Sequence, residues 1–251
     1  AGSQGGGGGS SGAPATADAV GLEALLYAAG ALKNTSADSA NQKQLVALGA
    51  VAAFSSALRA QTQRLIKQPA GEAPATPRGG SSADAAGAKG GVKPAHVLVQ
   101  LTATLRNVAV SGSSRKQFVS SGCVEELCGL LAAAPAHAEL CLNVSRVLAK
   151  LSLHEDVRSR IDARPQHMDA LVQALKLHTN ERQLLIRLCF ILGNVSAAHA
   201  ANREKIAKLG LPLLLDLLEQ YTSETHLAAL AASGAGAGSR QGVAVAPAAA
   251  L

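Results

Sequence analysis

The sequence has no tryptophan, one methionine, two tyrosines and three phenylalanines, so aromatic residues make up 2% of its 251 positions. A β-sandwich or barrel, whose strands draw on aromatic and β-branched side chains, is disfavoured from the outset. Cysteine is scarce too. Cys123, Cys128, Cys141 and Cys189 contain no Cys-x-x-Cys pair, so they read as reduced, mostly buried thiols and not as a zinc or disulfide framework. No apolar run approaches the ~18 residues of a membrane span. The opening stretch, AGSQGGGGGSSG, has neither the charged nor the apolar part of a signal peptide. It also lacks a starting methionine, as expected of a piece of a longer chain.

Catalytic signatures are equally sparse. The seven histidines (His96, His137, His154, His167, His178, His199 and His226) are scattered singly, without an H-E-x-x-H zinc helix. No G-x-S-x-G elbow accompanies a serine, and the glycine runs lack the G-K-[ST] ending of a phosphate cradle. No catalytic residue, cofactor, metal or small-molecule substrate is expected. The net charge of +6 is spread without a dense basic run, and residues 141–210 carry 11 Lys/Arg against 6 Asp/Glu. That mixed surface disfavours nucleic acid or an anionic membrane as a partner and suits an acidic protein better.

What the chain does have is alanine, about a fifth of all residues, which favours helix. It also has 25 glycines, gathered in the first dozen residues, between 71 and 91, and near the end. The stretch QPAGEAPATPRGGSSADAAGAKGGVKPA (68–95) is a Pro, Gly, Ala and Ser mixture that buries too little apolar surface to offset its ordering entropy. It reads as a disordered insert.

Between these segments a repeat emerges when the chain is aligned with itself. Apolar helical stretches end in the polar motifs ALKNTS (31–36), LRNVAVS (105–111), LAKLSL (148–153) and LGNVSA (192–197). With Asn34, Asn107, Lys150 and Asn194 as equivalent landmarks, the steps are 73, 43 and 44 residues, and removing the insert brings the first to about 43. Some 15 or 16 residues after three of the landmarks stand Gly49, Gly122 and Gly210, each opening a leucine-rich run. They are expected to be sharp glycine turns into a helix. In the third unit Arg164 and Pro165 take the glycine's place, and Pro165 suits the first turn of the following helix.

Each unit is thus a long helix, a short one after the polar motif, and a medium one. In the fourth long helix Leu184, Leu185, Leu188, Ile191, Leu192 and Val195 form one apolar stripe. A lone unit cannot bury such a stripe but stacked units can, which is the logic of an α-solenoid. Three helices in 40 to 47 residues is the armadillo or HEAT class.

The segments QLTATLRNV (100–108), CLNVSRVLAKLS (141–152) and IRLCFILGNVSAAHAANREKI (186–206) resemble armadillo repeats, and in particular those of ciliary armadillo proteins. The resemblance covers residues 96–222 well and the first unit weakly. It implies an all-α, armadillo-type α-solenoid of about four three-helix units with disordered Gly/Ala/Pro-rich inserts. Residues 1–17 are read as a disordered start, 18–67 as the first unit, 68–94 as the insert, 95–223 as units two to four, and 224–251 as the opening of a further helix with a disordered tail. The implied role is a non-enzymatic adaptor in cytoplasm and cilium, serving assembly or transport of axonemal components such as radial spokes. Partners would be axonemal or intraflagellar-transport proteins. A permanently docked axonemal subunit is the alternative.

In family members that carry nuclear import signals, a Trp four residues before each Asn packs the signal's lysine stems. Here those positions hold Gly30, Ala103, Arg146 and Phe190, so an import-receptor role is disfavoured. Positions zero, minus four and minus seven share one helix face, expected to be concave. Reading minus seven gives Tyr27, Gln100, Asn143 and Arg187. The resulting candidate protein-binding face is Asn107, Asn143, Arg146, Lys150, Arg187, Phe190 and Asn194, polar at first and basic in the last two units. Phe190 reads either as a core ring beside Leu188 and Ile191 or as a binding anchor in the groove.

Overall fold

The computed structural model describes residues 17–67, 92–223 and 228. The sequence-based expectations for residues 1–16, most of the insert and the tail beyond 223 lie outside the described residues. Eleven α-helices make up the regular structure of the described residues: α1 (Ala17–Thr35), α2 (Ser39–Ala47), α3 (Ala50–Lys67), α4 (Pro94–Val108), α5 (Arg115–Ser120), α6 (Cys123–Ala133), α7 (Ala138–Leu151), α8 (Glu155–Asp162), α9 (Pro165–Leu177), α10 (Arg182–Ala198) and α11 (Ala200–Thr222). The chain divides into two compact units, Ala1–Leu209 and Gly210–Leu251. The helical repeat occupies the first.

Local chemistry explains where the helices begin. Asp38 caps α2, its Oδ1 accepting from the backbone N–H of Ala40 at 2.8 Å and of Asn41 at 3.1 Å. Pro165 stands in the first turn of α9, where its missing N–H costs nothing. Gly49 and Gly122 adopt left-handed φ values of 72° and 70° between the short and medium helices, a conformation that would strain any residue with a Cβ.

Gly210 departs from its expected role. α11 runs straight through it, with Pro212 inside the helix, so the fourth unit has one continuous helix in place of a short and a medium one. Glycine permits the left-handed turn without compelling it. The leucines flanking Gly210 favour helix strongly enough to carry the chain past both breakers.

The long helices α1, α4, α7 and α10 pack side by side in one row, and the medium helices α3, α6 and α9 form a second row against them. Leu98, Leu105, Leu127, Leu131, Val144, Leu148, Leu171, Leu188 and Leu192 are buried at the seam. Each such leucine contributes on the order of 1.5 to 3 kcal/mol by burial. Polar tethers between units include Ser55 Oγ donating to Ser121 O at 3.1 Å, Gln117 Nε2 donating to Val46 O, and His178 Nε2 with Pro135 O at 2.8 Å. These features make an all-α, armadillo-type solenoid of the first compact unit.

Candidate functional site

The last three long helices, α4, α7 and α10, carry cations and almost no carboxylates. Four cations on the other helices meet carboxylates of a neighbouring helix: Arg59 with Glu126 at 2.7 Å, Arg160 with Glu125 at 3.3 Å, Arg115 with Asp156 at 3.4 Å and Lys205 with Asp162 at 3.7 Å. On the long helices Arg106, Arg146, Lys150 and Arg187 form no ion pair among the described residues. α4 and α10 contain no Asp or Glu at all, and α7 has only Glu139, in its first turn.

Arg146 lies at the centre of this group. Partial burial, then the like charges of Arg187 and Arg106, lower its guanidinium pKa from the ordinary value. Arg187 and Lys150 are lowered by partial burial as well. Arg187 Nη1 donates to Gln183, to its backbone O and to Oε1 at 2.9 Å, which draws the side chain back along α10.

Arg106 was not among the sequence-derived candidates. Its guanidinium donates to Asn143 Oδ1 at 3.3 Å and to Asn107 Oδ1 at 3.4 Å, joining α4 to α7. Position minus one lies outside the columns zero, minus four and minus seven. The signal that would have found it is a basic residue in the last turn of a long helix.

Asn143 was expected to line the open face, yet it is 4% exposed. Flanked on both sides by long helices, it holds Arg106 from below and offers nothing to solvent. Gln100 is buried for the same reason, whereas Tyr27, on α1, is exposed. Phe190 is 47% exposed beside the exposed Ile186, one turn back on α10. Its ring therefore lies outside the core, with Arg187 next to it on the same stripe.

The Asn ladder has an internal use. Asn107 Nδ2 donates to Ser36 Oγ at 3.0 Å, and Asn194 Nδ2 donates to Ser152 Oγ at 2.9 Å. Both serines are fully buried two residues past the preceding landmark, and their hydroxyls donate to Lys33 O and Ala149 O. At the junction between the second and third units both partners are replaced. Lys150 stands for the asparagine and Ala109 for the serine.

His96, His137 and His167 serve the scaffold. His137 Nδ1 accepts from the Leu140 N–H as the cap of α7, His96 Nδ1 accepts from the Lys93 N–H, and His167 Nδ1 lies 3.1 Å from Ile161 O. Among the described residues no group of three or more His, Cys, Asp or Glu side chains is placed to hold a metal. Cys123, Cys128 and Cys141 are buried, as expected, with their thiols pushed up, Cys128 and Cys141 to about 12. Cys189 is exposed. Its counterparts Thr102 and Ser145 are fully buried because the next long helix in the row covers them, and α10 is the last long helix described.

No family model matches the chain, and no solved structure matches it. It is similar to armadillo repeat-containing protein 2 of Bos taurus, 28% identical over 128 residues, which is 50% of this chain and 15% of that protein. The human protein of the same name is 25% identical over 187 residues, covering 74% of this chain and 19% of its own length. The Mus musculus protein is 27% identical over 186 residues, covering 74% and 20%. The chain thus spans a fifth or less of the relatives it matches. With its stacked units at 43- to 44-residue steps, it is an armadillo-type α-solenoid similar to part of armadillo repeat-containing protein 2.

Proposed function

We propose that the chain is a non-enzymatic protein-interaction scaffold that takes an acidic segment of another protein along the long-helix row. The observation that carries this reading is the set of four cations, Arg106, Arg146, Lys150 and Arg187, without an ion pair among the described residues on three adjacent long helices, α4, α7 and α10, that hold a single carboxylate between them, Glu139. Unpaired guanidinium groups on adjacent helices are suited to bidentate capture of carboxylates. Exposed Phe190 and Ile186 supply an apolar anchor at the α10 end. The similarity to armadillo repeat-containing protein 2 supports a protein partner. The partners proposed are motile-cilium axonemal components such as radial spokes, with the chain acting in cytoplasm and cilium during their assembly or transport.

The test is capture from ciliated-cell extract by the chain and by a variant with Arg146, Lys150 and Arg187 all replaced by Glu. Exposed charges contribute only about 0 to 1 kcal/mol each to stability, so the variant is expected to fold. Capture should be lost in the variant. In the parent chain it should weaken as salt approaches ~0.5 M, where screening shortens to a few Å. Recovery of transport particles supports the adaptor role, and recovery of stable axonemal proteins alone would make the chain a docked structural subunit. Capture unchanged by charge reversal at low salt would overturn the reading.

A further inference from the structure

Asn143 marks the place where cations of three long helices gather. From α4, Arg106 Nη1 donates to Asn143 Oδ1 at 3.3 Å, while Nη2 donates to Asn107 Oδ1 at 3.4 Å. On α7 itself Arg146 follows Asn143 by three residues, so the two are neighbours on one helix face. On α10, Arg187 occupies the same register position as Asn143, and the bond from Asn194 to Ser152 ties α10 to α7. The three arginines thus approach from different sides, and the charges of Arg187 and Arg106 both bear on Arg146.

The donors of this cluster are oriented but not neutralised. The Nδ2 of Asn107 is taken by Ser36, which keeps its Oδ1 turned to Arg106. Together with the buried Asn143 it holds the guanidinium through one N–H on each Nη and leaves three of the five N–H groups unspent. Both contacts are longer than the about 2.7 to 2.9 Å of a guanidinium bonded to an anion. Arg187 bonds through Nη1 alone, to Gln183. Arg146, partly buried, has no hydrogen bond or ion pair among the described residues.

Donors that arrive from several sides suit one concentrated anion. A carboxylate brings a single charge and two oxygens in one plane, a match for one guanidinium fork. A phosphomonoester brings about −1.5 to −2 charges at neutral pH and three acceptor oxygens, so more than one guanidinium can bond it at once. We infer that Arg106 and Arg146, with Arg187 beside them, form a phosphate site that binds a phosphorylated side chain of the partner segment. Arg106 and Arg146 supply the contacts across the junction of α4 and α7, and Arg187 adds attraction from α10. The inference rests on the reading of the long-helix row as an acidic-partner surface. It adds a requirement that the partner be phosphorylated before it is held tightly.

The experiment measures binding of three labelled peptides to the purified chain at low salt by fluorescence anisotropy. They share one sequence with two flanking Glu and differ only in the central residue, which is phosphoserine, Glu or Ser. The phosphoserine peptide is expected to bind at least roughly tenfold tighter than the Glu peptide. Arg106→Gln and Arg146→Gln should each erase most of that advantage, while Lys116→Gln, exposed on α5 away from the row, should keep it. Arg146 makes no internal bond, so its variant separates lost binding from lost structure, and circular dichroism checks the helix content of all three.

Equal affinity for the phosphoserine and Glu peptides, both above the Ser peptide, would overturn the phosphate site and leave the acidic-partner surface standing. A full phosphoserine advantage in Arg146→Gln would overturn the placement of the site. Displacement of the phosphopeptide by a short single-stranded RNA more readily than by its own unlabelled form would overturn a protein ligand. No binding of any peptide would overturn the phosphate site, and together with partner capture that survives charge reversal would overturn the surface as well.

Discussion

Asn194 on α10 and Ser152 at the end of α7 lie 42 residues apart in the chain and are joined by a 2.9 Å hydrogen bond from Nδ2 to Oγ. The same bond recurs between Asn107 and Ser36. In this solenoid the landmark asparagines spend their amide N–H groups on the preceding unit. They hold the register between long helices at these two junctions. The junction that lacks the bond, Ala109 with Lys150, is the one around which the unpaired cations gather.

Removing this bond should cost stability without changing the fold. Asn194→Ala is expected to destabilise by about 1 kcal/mol, the net worth of one intramolecular hydrogen bond plus a poorly satisfied hydroxyl. Conversely, Ala109→Ser combined with Lys150→Asn places the missing pair at the junction between the second and third units and should stabilise by about 0.5 to 1.5 kcal/mol. Urea midpoints at constant slope measure both changes. A double variant no more stable than either single one would argue against the pair acting as a register bond.

The phenylalanines of the solenoid should behave as two classes. Phe118 is fully buried in α5, and Phe118→Ala should cost roughly 3 to 5 kcal/mol through transfer and cavity contributions. Phe190, half-exposed on α10, should cost no more than about 1 kcal/mol when truncated, because little area is lost from the core. Its truncation should instead weaken partner capture. A large midpoint shift for Phe190→Ala would return the ring to the core.

Two glycines only seven residues apart should respond to alanine with opposite signs. Gly122 has φ near +70°, so Gly122→Ala forces a left-handed alanine and should destabilise by about 1 kcal/mol or somewhat more. Gly129 lies inside α6, and a Cβ there meets no heavy atom within 4 Å. Gly129→Ala should stabilise by roughly 0.5 to 1 kcal/mol through helix propensity and a restricted unfolded chain. Thermal midpoints of the two variants give the comparison directly.

Acidification should loosen the long helices. Burial lowers the pKa of His96, His137 and His167 from the ordinary 6.5. Lys93 reinforces the shift at His96. At His137 the carboxylate of Glu139 opposes it, while His96 and His178 add to it. The unfolded chain takes up protons near 6.5 and the folded chain only below it. Stability present above that value is therefore lost as pH falls through the lowered pKa values. Protonation also turns the Nδ1 acceptors of His96 and His137 into donors and so removes the hydrogen bonds at the starts of α4 and α7. His137→Asn retains a capping acceptor without a titration. Its urea midpoint should fall less between about pH 7.5 and about pH 5 than that of the parent chain. An identical fall would mean that His137 does not contribute.

Much of the architecture was legible in the residue order. The 43- to 44-residue step between landmarks, the apolar stripe from Leu184 to Val195, the turns at Gly49 and Gly122 and the start of α9 at Pro165 are all properties of local sequence. Periodicity reports which side chains share a helix face, and glycine or proline reports where the backbone has special freedom or constraint. Both operate within a few residues, so they are readable before any tertiary contact exists.

Exposure was decided elsewhere. Whether a shared face is open depends on the helix placed beside it, and that neighbour comes from 40 or more residues away. Asn143 and Arg187 occupy the same register position, yet Asn143 is buried between α4 and α10 while Arg187 is only partly covered. Cys189 and Phe190 emerge on α10 where the counterparts Thr102, Ser145 and Ala103 are buried. The run through Gly210 belongs to the same class, since a glycine only permits a turn. Residue order by itself determined the helices, their period and the stacking they require. Tertiary packing alone decided which cations lack partners, which asparagines bind their neighbours and which face remains open, because burial and pairing are properties of distances between units that no single stretch of sequence contains.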